Sequence, residues 1–318
     1  MKNIYIGVVV FLVEIMLQAF WIRLHRTGVI GLFQRQKDYG PEIVEKKAST
    51  PSMGGIIFLI ISVSLLITGN ADYKIWFFAI ACGVIGLFDD GLKSFQKSSE
   101  GFSSLRKLVL QIIFSSIYAM LICRYYEIKL WGNVSSPVWL SFPLIVFFSV
   151  GLQNAVNVTD GLDGLAAGTV ALSLAAIAIY SGELNYDVAV ALGLVIGFLW
   201  HNSHPAYVFM GDVGSHFLAG LLLSLILFNG SILLIVPFSF IFGIEIISVA
   251  IQIFSIRIFG HRILRMAPLH HHFQRLDRKI DYIMPSSDWA ETTIVNRFYI
   301  IHICGMALLY VILWRFFK

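Results

Sequence analysis

The sequence predicts an all-α integral membrane protein, a single polytopic domain over residues 1–318 with about ten transmembrane helices and its chemistry gathered on one face. Three observations predict it. First, 58% of the 318 residues are hydrophobic and 13% are charged, with a mean hydropathy of +0.80, whereas soluble domains carry about 25% charge. Second, a membrane span needs roughly 20 mostly apolar residues, and ten such runs can be drawn, several of them short or broken by Gly or Pro. Barrel strands would alternate instead, so the unbroken runs are helices. Third, Lys and Arg are unevenly shared among the connections, which orients the chain.

The first run, 4–23, is longer than the apolar core of a signal peptide, about 7–15 residues. Arg23, His25 and Arg26 follow it in place of a small-residue cleavage site, so it is expected to stay attached as the first span. The next runs are 53–69, 74–88, 106–123 and 138–156, and the segment "FDDGLKS" closes the third. Then come 164–181, opened by "NVTDGLDG", and 187–200 and 215–229, joined through "FMGDVGS". The last two, 231–256 and 297–314, flank "MAPLHHHF". No internal repeat or low-complexity tract is evident. Cys82, Cys123 and Cys304 sit singly in apolar runs, as small hydrophobes do.

Seventeen of the 23 Lys and Arg residues lie in the odd-numbered connections or at their helix ends, which makes those connections cytoplasmic and turns both termini outward. The net charge of +4 is mild, and no nucleic-acid partner is expected; the partners are membrane lipid and anionic substrates. All five polar clusters then fall on the cytoplasmic side, including "KKASTPSMGG" before the second span.

Carboxylates this close to lipid are costly unless hydrated, paired or metal-bound. Asp89 and Asp90 are adjacent, so on a helix they point about 100° apart; one can meet a metal while the other faces substrate. Asp160 and Asp163, three residues apart, are expected to share a helix face. Asp212 is expected in a turn between Gly211 and Val213. Scattered hard oxygen ligands suit Mg²⁺, which completes its shell with water and phosphate. Gly161, Gly164, Gly211 and Gly214 bare backbone N–H groups that can cradle phosphate, whereas Gly168, Gly193 and Gly197, within spans, read as helix-packing glycines. His270, His271 and His272 follow Pro268, which disfavours a helix; in an extended segment His271 would face away from the other two. They suit phosphate-facing donors or proton transfer better than exposed loop residues or a zinc site, given Arg262 and Arg265 upstream. Lys47 stands out among the basic residues of the first cytoplasmic loop. Glu14 and Glu245, inside spans, have no obvious basic partner and no assigned role.

In this order and on one face, "TPSMGG", "FDDGLK", "NAVNVTDGLDGLAAG", "FMGDVGS" and "RMAPLHHHF" resemble the polyprenyl-phosphate N-acetylhexosamine-1-phosphate transferases. "APLHHHF" favours the phospho-N-acetylmuramoyl-pentapeptide transferase branch. The resemblance runs from about Gly40 to the C-terminus. It implies a ten-helix, multi-pass enzyme of the bacterial cytoplasmic (inner) membrane, usually a homodimer, with periplasmic termini and an active site on the cytoplasmic face. It implies Mg²⁺ as cofactor and UDP-MurNAc-pentapeptide and undecaprenyl phosphate as substrates, with lipid I and UMP as products.

By the same resemblance Asp212 is the metal ligand, and Asp89 and Asp90 are the acidic pair near the attacking phosphate. Lys47, Gly161, Leu162, Asp163 and Phe209 correspond to the nucleoside pocket. Asn154, Asn157 and Asp160 line the site, His270 and His271 act near the diphosphate with His272 beside them, and Ser52, Gly211 and Ser215 join the substrate-binding set. Ser52 replaces a usual Thr and keeps the hydroxyl. Val44 and Ser49 depart from a usual His and Gly, and the segment after Phe273 is longer than usual. Direct attack by the lipid phosphate, with Asp89 as base, is preferred to a covalent aspartyl intermediate. A related UDP-amino-sugar transferase is the nearest alternative, and a transporter the most distant.

Overall fold

In the computed structural model, which describes residues 2–32, 50–96, 101–275 and 280–317, every predicted apolar run is helical. Among the described residues the ten helices longer than ten residues are α1 (Lys2–Arg26), α2 (Ile56–Ile67), α3 (Tyr73–Gln96), α4 (Ser104–Tyr125), α5 (Val138–Thr159), α6 (Leu165–Ser181), α7 (Tyr186–Asn202), α8 (Gly211–Asn229), α9 (Phe240–Phe259) and α10 (Glu291–Phe316). Seven of them are long and apolar enough to cross a membrane; α2, α6 and α7, with 12, 17 and 17 residues, are shorter. The short strands β1 (Lys129–Trp131) and β2 (Val134–Ser135) form an antiparallel hairpin between α4 and α5.

The bundle is built around α8, which is apolar on all sides and buried without interruption from Val213 to Leu227, as a helix enclosed by other helices must be. It packs most extensively on α3, while α1 packs on α7 and α4 on α5. Glycines set these approaches. A β-carbon at Gly86 of α3 would lie 2.1 Å from the Asp212 carbonyl oxygen, so the two helices touch backbone to backbone at the level where both carry aspartates. Gly193 of α7 meets the Gly7 carbonyl of α1, and Gly168 meets the Tyr299 ring of α10, which are the packing roles expected for glycines inside spans.

Five local expectations change. The third helix runs on past 88 to Gln96, so Asp89 and Asp90 lie inside it. Asp160 and Asp163 share no helix face: Asp160 follows the last residue of α5, and α6 starts only at Leu165, after Gly164 turns the chain at φ +80°. Asp212 occupies the first turn of α8, entered through Gly211 at φ +71°. The histidines form one helical turn, Leu269–His272, behind Pro268, because proline is excluded from helix interiors and not from their starts. The ninth run, 231–256, is interrupted: short turns at Ile232–Leu234 and Ile235–Phe238 precede α9.

Candidate active site

Asp89 and Asp90 come from α3 and Asp212 from α8, and one oxygen of each lies within 4.8 Å of the others. The protein fixes the opposite oxygens. Phe102 N–H donates to Asp89 Oδ1 (2.6 Å), Val213 N–H at the start of α8 donates to Asp90 Oδ2 (3.1 Å), and Asn157 Nδ2 donates to Asp212 Oδ1 (2.7 Å). A helix N-terminus favours the Asp90 carboxylate electrostatically as well. The three remaining oxygens converge on one ammonium: Lys93 Nζ sits 2.8 Å from Asp89 Oδ2, 3.3 Å from Asp90 Oδ1 and 2.7 Å from Asp212 Oδ2. Lys107 of α4 adds contacts of 2.5 Å to Asp212 Oδ2 and 3.3 Å to Asp89 Oδ2. Three carboxylates against two ammonium groups leave one formal negative charge. A positive centre touched by three oxygens from three side chains, with no nitrogen or sulfur donor, fits a hard divalent cation such as Mg²⁺.

The end of α5 and the loop after it bring the next groups. Asn157 also donates to Ser215 Oγ (3.0 Å), and Asn154 donates to Gln111 Oε1 of α4 (2.8 Å). Burial, together with the negative charges of Asp212, Asp90 and Asp163, pushes the Asp160 carboxyl well above the ordinary carboxylate range. Asp163 belongs to a second cluster. Its Oδ2 lies 2.9 Å from His204 Nδ1 and accepts from Ala206 N–H (3.1 Å), while its own N–H donates to Glu291 Oε1 (2.8 Å). Asp163, His204 and Glu291 are also close enough to share a cation, but the two carboxylates accept backbone N–H groups and His204 Nδ1 pairs with Asp163 itself. Leu162 is buried against Leu165, Ile241, Ile294 and Phe298 and pins the loop to α9 and α10. Tyr299 Oη donates to Gly164 O (2.7 Å).

The histidine turn covers this loop from the other side. A β-carbon at Gly161 would lie 2.5 Å from His270 Nε2 and 3.1 Å from His271 Nε2, so glycine is required for the contact. His270 is fully buried and His271 half-buried, its Nδ1 2.6 Å from Gln274 Oε1. His272 is placed differently: Nδ1 accepts from Arg265 N–H (3.0 Å) and Nε2 meets the Pro285 carbonyl (3.1 Å). Burial lowers its basicity, and both ring nitrogens are spent on holding the loop. Arg265 does the same through the Gln274 carbonyl and Asp288, and Phe273 stacks on Trp289.

The segment "TPSMGG" joins through backbone. Phe209 N–H donates to Pro51 O (2.8 Å), and Gly54 and Gly55 N–H donate to Phe209 and Met210 carbonyls (2.9 and 3.0 Å). Gly211 lies against Met53, and its β-carbon would fall 2.6 Å from Asp90 Oδ2. Ser52 is half-buried, and its carbonyl accepts from Trp21 Nε1. All five polar segments therefore meet at one end of the bundle. Lys47 lies outside the described residues.

Sequence reasoning missed Lys93 and Lys107 as site residues, along with Gln111, His204, Glu245 and Glu291. For Lys93 a signal existed, since it stands i+4 and i+3 from Asp89 and Asp90 on one helix. His204 and Glu291 carry no local signal, being 41 and 128 residues from Asp163.

The Glycosyl transferase family 4 profile matches residues 73–230. Similar curated proteins are described as phospho-N-acetylmuramoyl-pentapeptide-transferases. One from Dictyoglomus turgidum is 38% identical, covering 98% of this chain and 98% of its own length. Those from Bacillus pumilus and Bacillus subtilis are 35% and 33% identical, each covering 91% of both chains.

Proposed function

Since the chain belongs to the phospho-N-acetylmuramoyl-pentapeptide-transferase family, we propose that it moves phospho-MurNAc-pentapeptide from UDP-MurNAc-pentapeptide onto undecaprenyl phosphate, forming lipid I and releasing UMP. The observation that carries the reading is the acid cluster, in which three carboxylates surround one positive centre. A soluble diphosphate and a lipid phosphate must meet where water borders hydrocarbon. At about 4 Å and an effective dielectric of about 20, each pair of unit negative charges repels by about 4 kcal/mol. Asp89, Asp90 and Asp212 would hold Mg²⁺ through Asp89 Oδ2, Asp90 Oδ1 and Asp212 Oδ2; when bound it supplies charge neutralisation to the diphosphate and to departing UMP.

The protein groups act around that centre. Lys93 and Lys107, displaced from the acids, are placed to pair with phosphate oxygens. Asn157 fixes the Asp212 carboxylate, and Gly211 leaves room for Asp90. The lipid phosphate is a monoester with a second pKa of about 6, so it is largely dianionic near neutral pH and attacks the sugar-bearing phosphorus directly. Asp89 is not needed as a base: one oxygen is held by Phe102 N–H, and the other would be taken up by the metal. His270 faces the Asp160–Gly161 loop and is assigned to the diphosphate as a hydrogen-bond donor, with His271 beside it. Asp163, held by His204 and Ala206, reads the nucleobase together with the Phe209 segment. An apolar cavity of about 250 Å³ beside α9, lined by Ile244, Ile247, Ile251, Leu264 and Met284, offers an apolar wall for the polyprenyl chain.

The family resemblance and the basic-residue bias support ten spans in the bacterial inner membrane, periplasmic termini and a cytoplasmic site. A homodimer rests on the resemblance alone. The testing experiment is UMP release by purified protein with undecaprenyl phosphate, comparing UDP-MurNAc-pentapeptide with UDP-GlcNAc, with and without Mg²⁺. Release with the first donor only, and only with Mg²⁺, is expected. Equal use of UDP-GlcNAc would move the chain to a sister activity.

A further inference from the structure

One face of α9 is polar in an otherwise apolar helix. Glu245, Ser248, Gln252 and Ser255 recur at i, i+3, i+7 and i+10, and all four are buried, while Ile247, Ile251 and Phe254 between them are exposed. Each rung bonds the chain that returns along the helix. Ser255 Oγ donates to His261 O (2.8 Å). Gln252 accepts from Ile263 and Leu264 N–H (3.2 and 2.9 Å) and donates to Leu264 O (3.0 Å). Ser248 Oγ accepts from Leu269 N–H (3.0 Å), and Glu245 Oε1 accepts from His270 N–H (3.2 Å). Carried by this stripe, residues 261–270 run antiparallel to α9 and arrive with His270 at the top.

The last rung differs chemically from the others. An acid inside a membrane-spanning helix is costly to insert, and a serine or glutamine would bond the same N–H. What a carboxylate adds here is its second contact: Glu245 Oε1 also stands 3.3 Å from His270 Nδ1. Both His270 ring nitrogens are fully buried and form no hydrogen bond among the described residues; Nδ1 faces the Glu245 carboxylate at that ion-pair distance, and Nε2 points at Gly161. The residue is thus anchored through its backbone N–H, with the carboxylate beside Nδ1 and Nε2 turned to the loop. A carboxylate behind Nδ1 fixes the tautomer and orientation of an imidazole and stabilises its protonated form.

We propose that Glu245 is a positioning residue of the transfer reaction, holding His270 by its backbone N–H and setting a negative charge beside Nδ1, so that Nε2 is presented to the phosphates at the Asp160–Gly161 loop. This rests on the role given to His270 above. In that role a protonated His270 donates from Nε2 to the charge that develops on departing UMP, and Glu245 balances the imidazolium behind it.

The test is a double-mutant cycle in UMP release, with kcat, donor KM and melting temperature measured for Glu245→Gln, His270→Ala and their combination. The Gln oxygen still accepts the His270 N–H but carries no charge, so folding is retained. His270→Ala is expected to lower kcat about 100-fold or more. Glu245→Gln is expected to lower kcat about 10-fold or more, within the range for supporting partners of a functional histidine. Donor KM stays within about twofold. On the His270→Ala background Glu245→Gln should have almost no further effect. If the two losses multiply, or Glu245→Gln turns over normally while His270→Ala is slow, the positioning role falls and the reading of His270 stands. If His270→Ala itself turns over normally, the reading of His270 is what fails. Glu245→Ala gives the same cycle should the amide prove a poor mimic.

Discussion

Replacing Lys107 by Met removes one of the two cations that hold the acid cluster and keeps the aliphatic length of the side chain. Lys107 Nζ contacts Asp212 Oδ2 at 2.5 Å and Asp89 Oδ2 at 3.3 Å, and the side chains of Lys107 and the two aspartates are at most 17% exposed. At an effective dielectric of about 20 the two contacts are worth roughly 7 and 5 kcal/mol gross. Desolvation of the lysine offsets most of that, and removing one partner of a buried pair costs about 3–5 kcal/mol net. The remaining cluster, three carboxylates and Lys93, carries two formal negative charges in place of one. The variant should therefore melt well below wild type in EDTA, and it should regain much of the difference in Mg²⁺. Its half-saturating Mg²⁺ concentration should fall by about 10-fold or more, since losing one ammonium need favour the divalent ion by only about 1.4 kcal/mol to do so. Turnover should fall, because a phosphate-pairing lysine is gone. The assay is thermal unfolding in detergent across a Mg²⁺ titration. A variant whose Mg²⁺ response equals that of wild type would refute the reasoning, since these acids would then not be where the ion binds.

Further outcomes follow from the same geometry. Gly161→Ala would place a β-carbon 2.5 Å from His270 Nε2 and 3.1 Å from His271 Nε2; UMP release should fall at least about 100-fold, with melting temperature nearly unchanged. Asp160 has its folded carboxyl raised, so between its unfolded value near 3.9 and that raised value the folded state holds a proton that the unfolded state has lost. Metal-free stability therefore declines as pH rises through that window. Asp160→Asn should flatten the decline in melting curves recorded in EDTA, and equal slopes would contradict the assignment. Asp212→Asn should abolish UMP release while the protein still folds, as read by its elution and melting in detergent.

How much of this was legible in the sequence follows from the range of each interaction. The ten apolar runs became ten helices because backbone hydrogen bonds in an apolar setting must close within the segment. The meeting of five polar segments was legible too, since each connection carried its own charge bias. What escaped was set across space. Asp163 finds His204 and Glu291 through contacts with no local pattern, and Asp160 falls between helices, since α5 ends at Thr159 and α6 begins only after Gly164 at φ +80°. Lys107 read as a topology marker, yet it reaches the acids from α4. The stripe on α9 was visible at helical spacing, but its partner, the returning chain at 261–270, was not. Glu245 could then only stand as an unexplained acid.

The central claim is that Asp89, Asp90 and Asp212 hold one divalent cation between α3 and α8. Electron paramagnetic resonance of Mn²⁺ bound to the purified protein tests it most directly, because it counts ions without requiring turnover. One tightly bound Mn²⁺ per chain is expected in wild type, lost in Asp212→Asn and retained in His204→Ala. Mn²⁺ that survives Asp212→Asn and disappears in His204→Ala would instead put the ion at Asp163, His204 and Glu291, and would contradict the account.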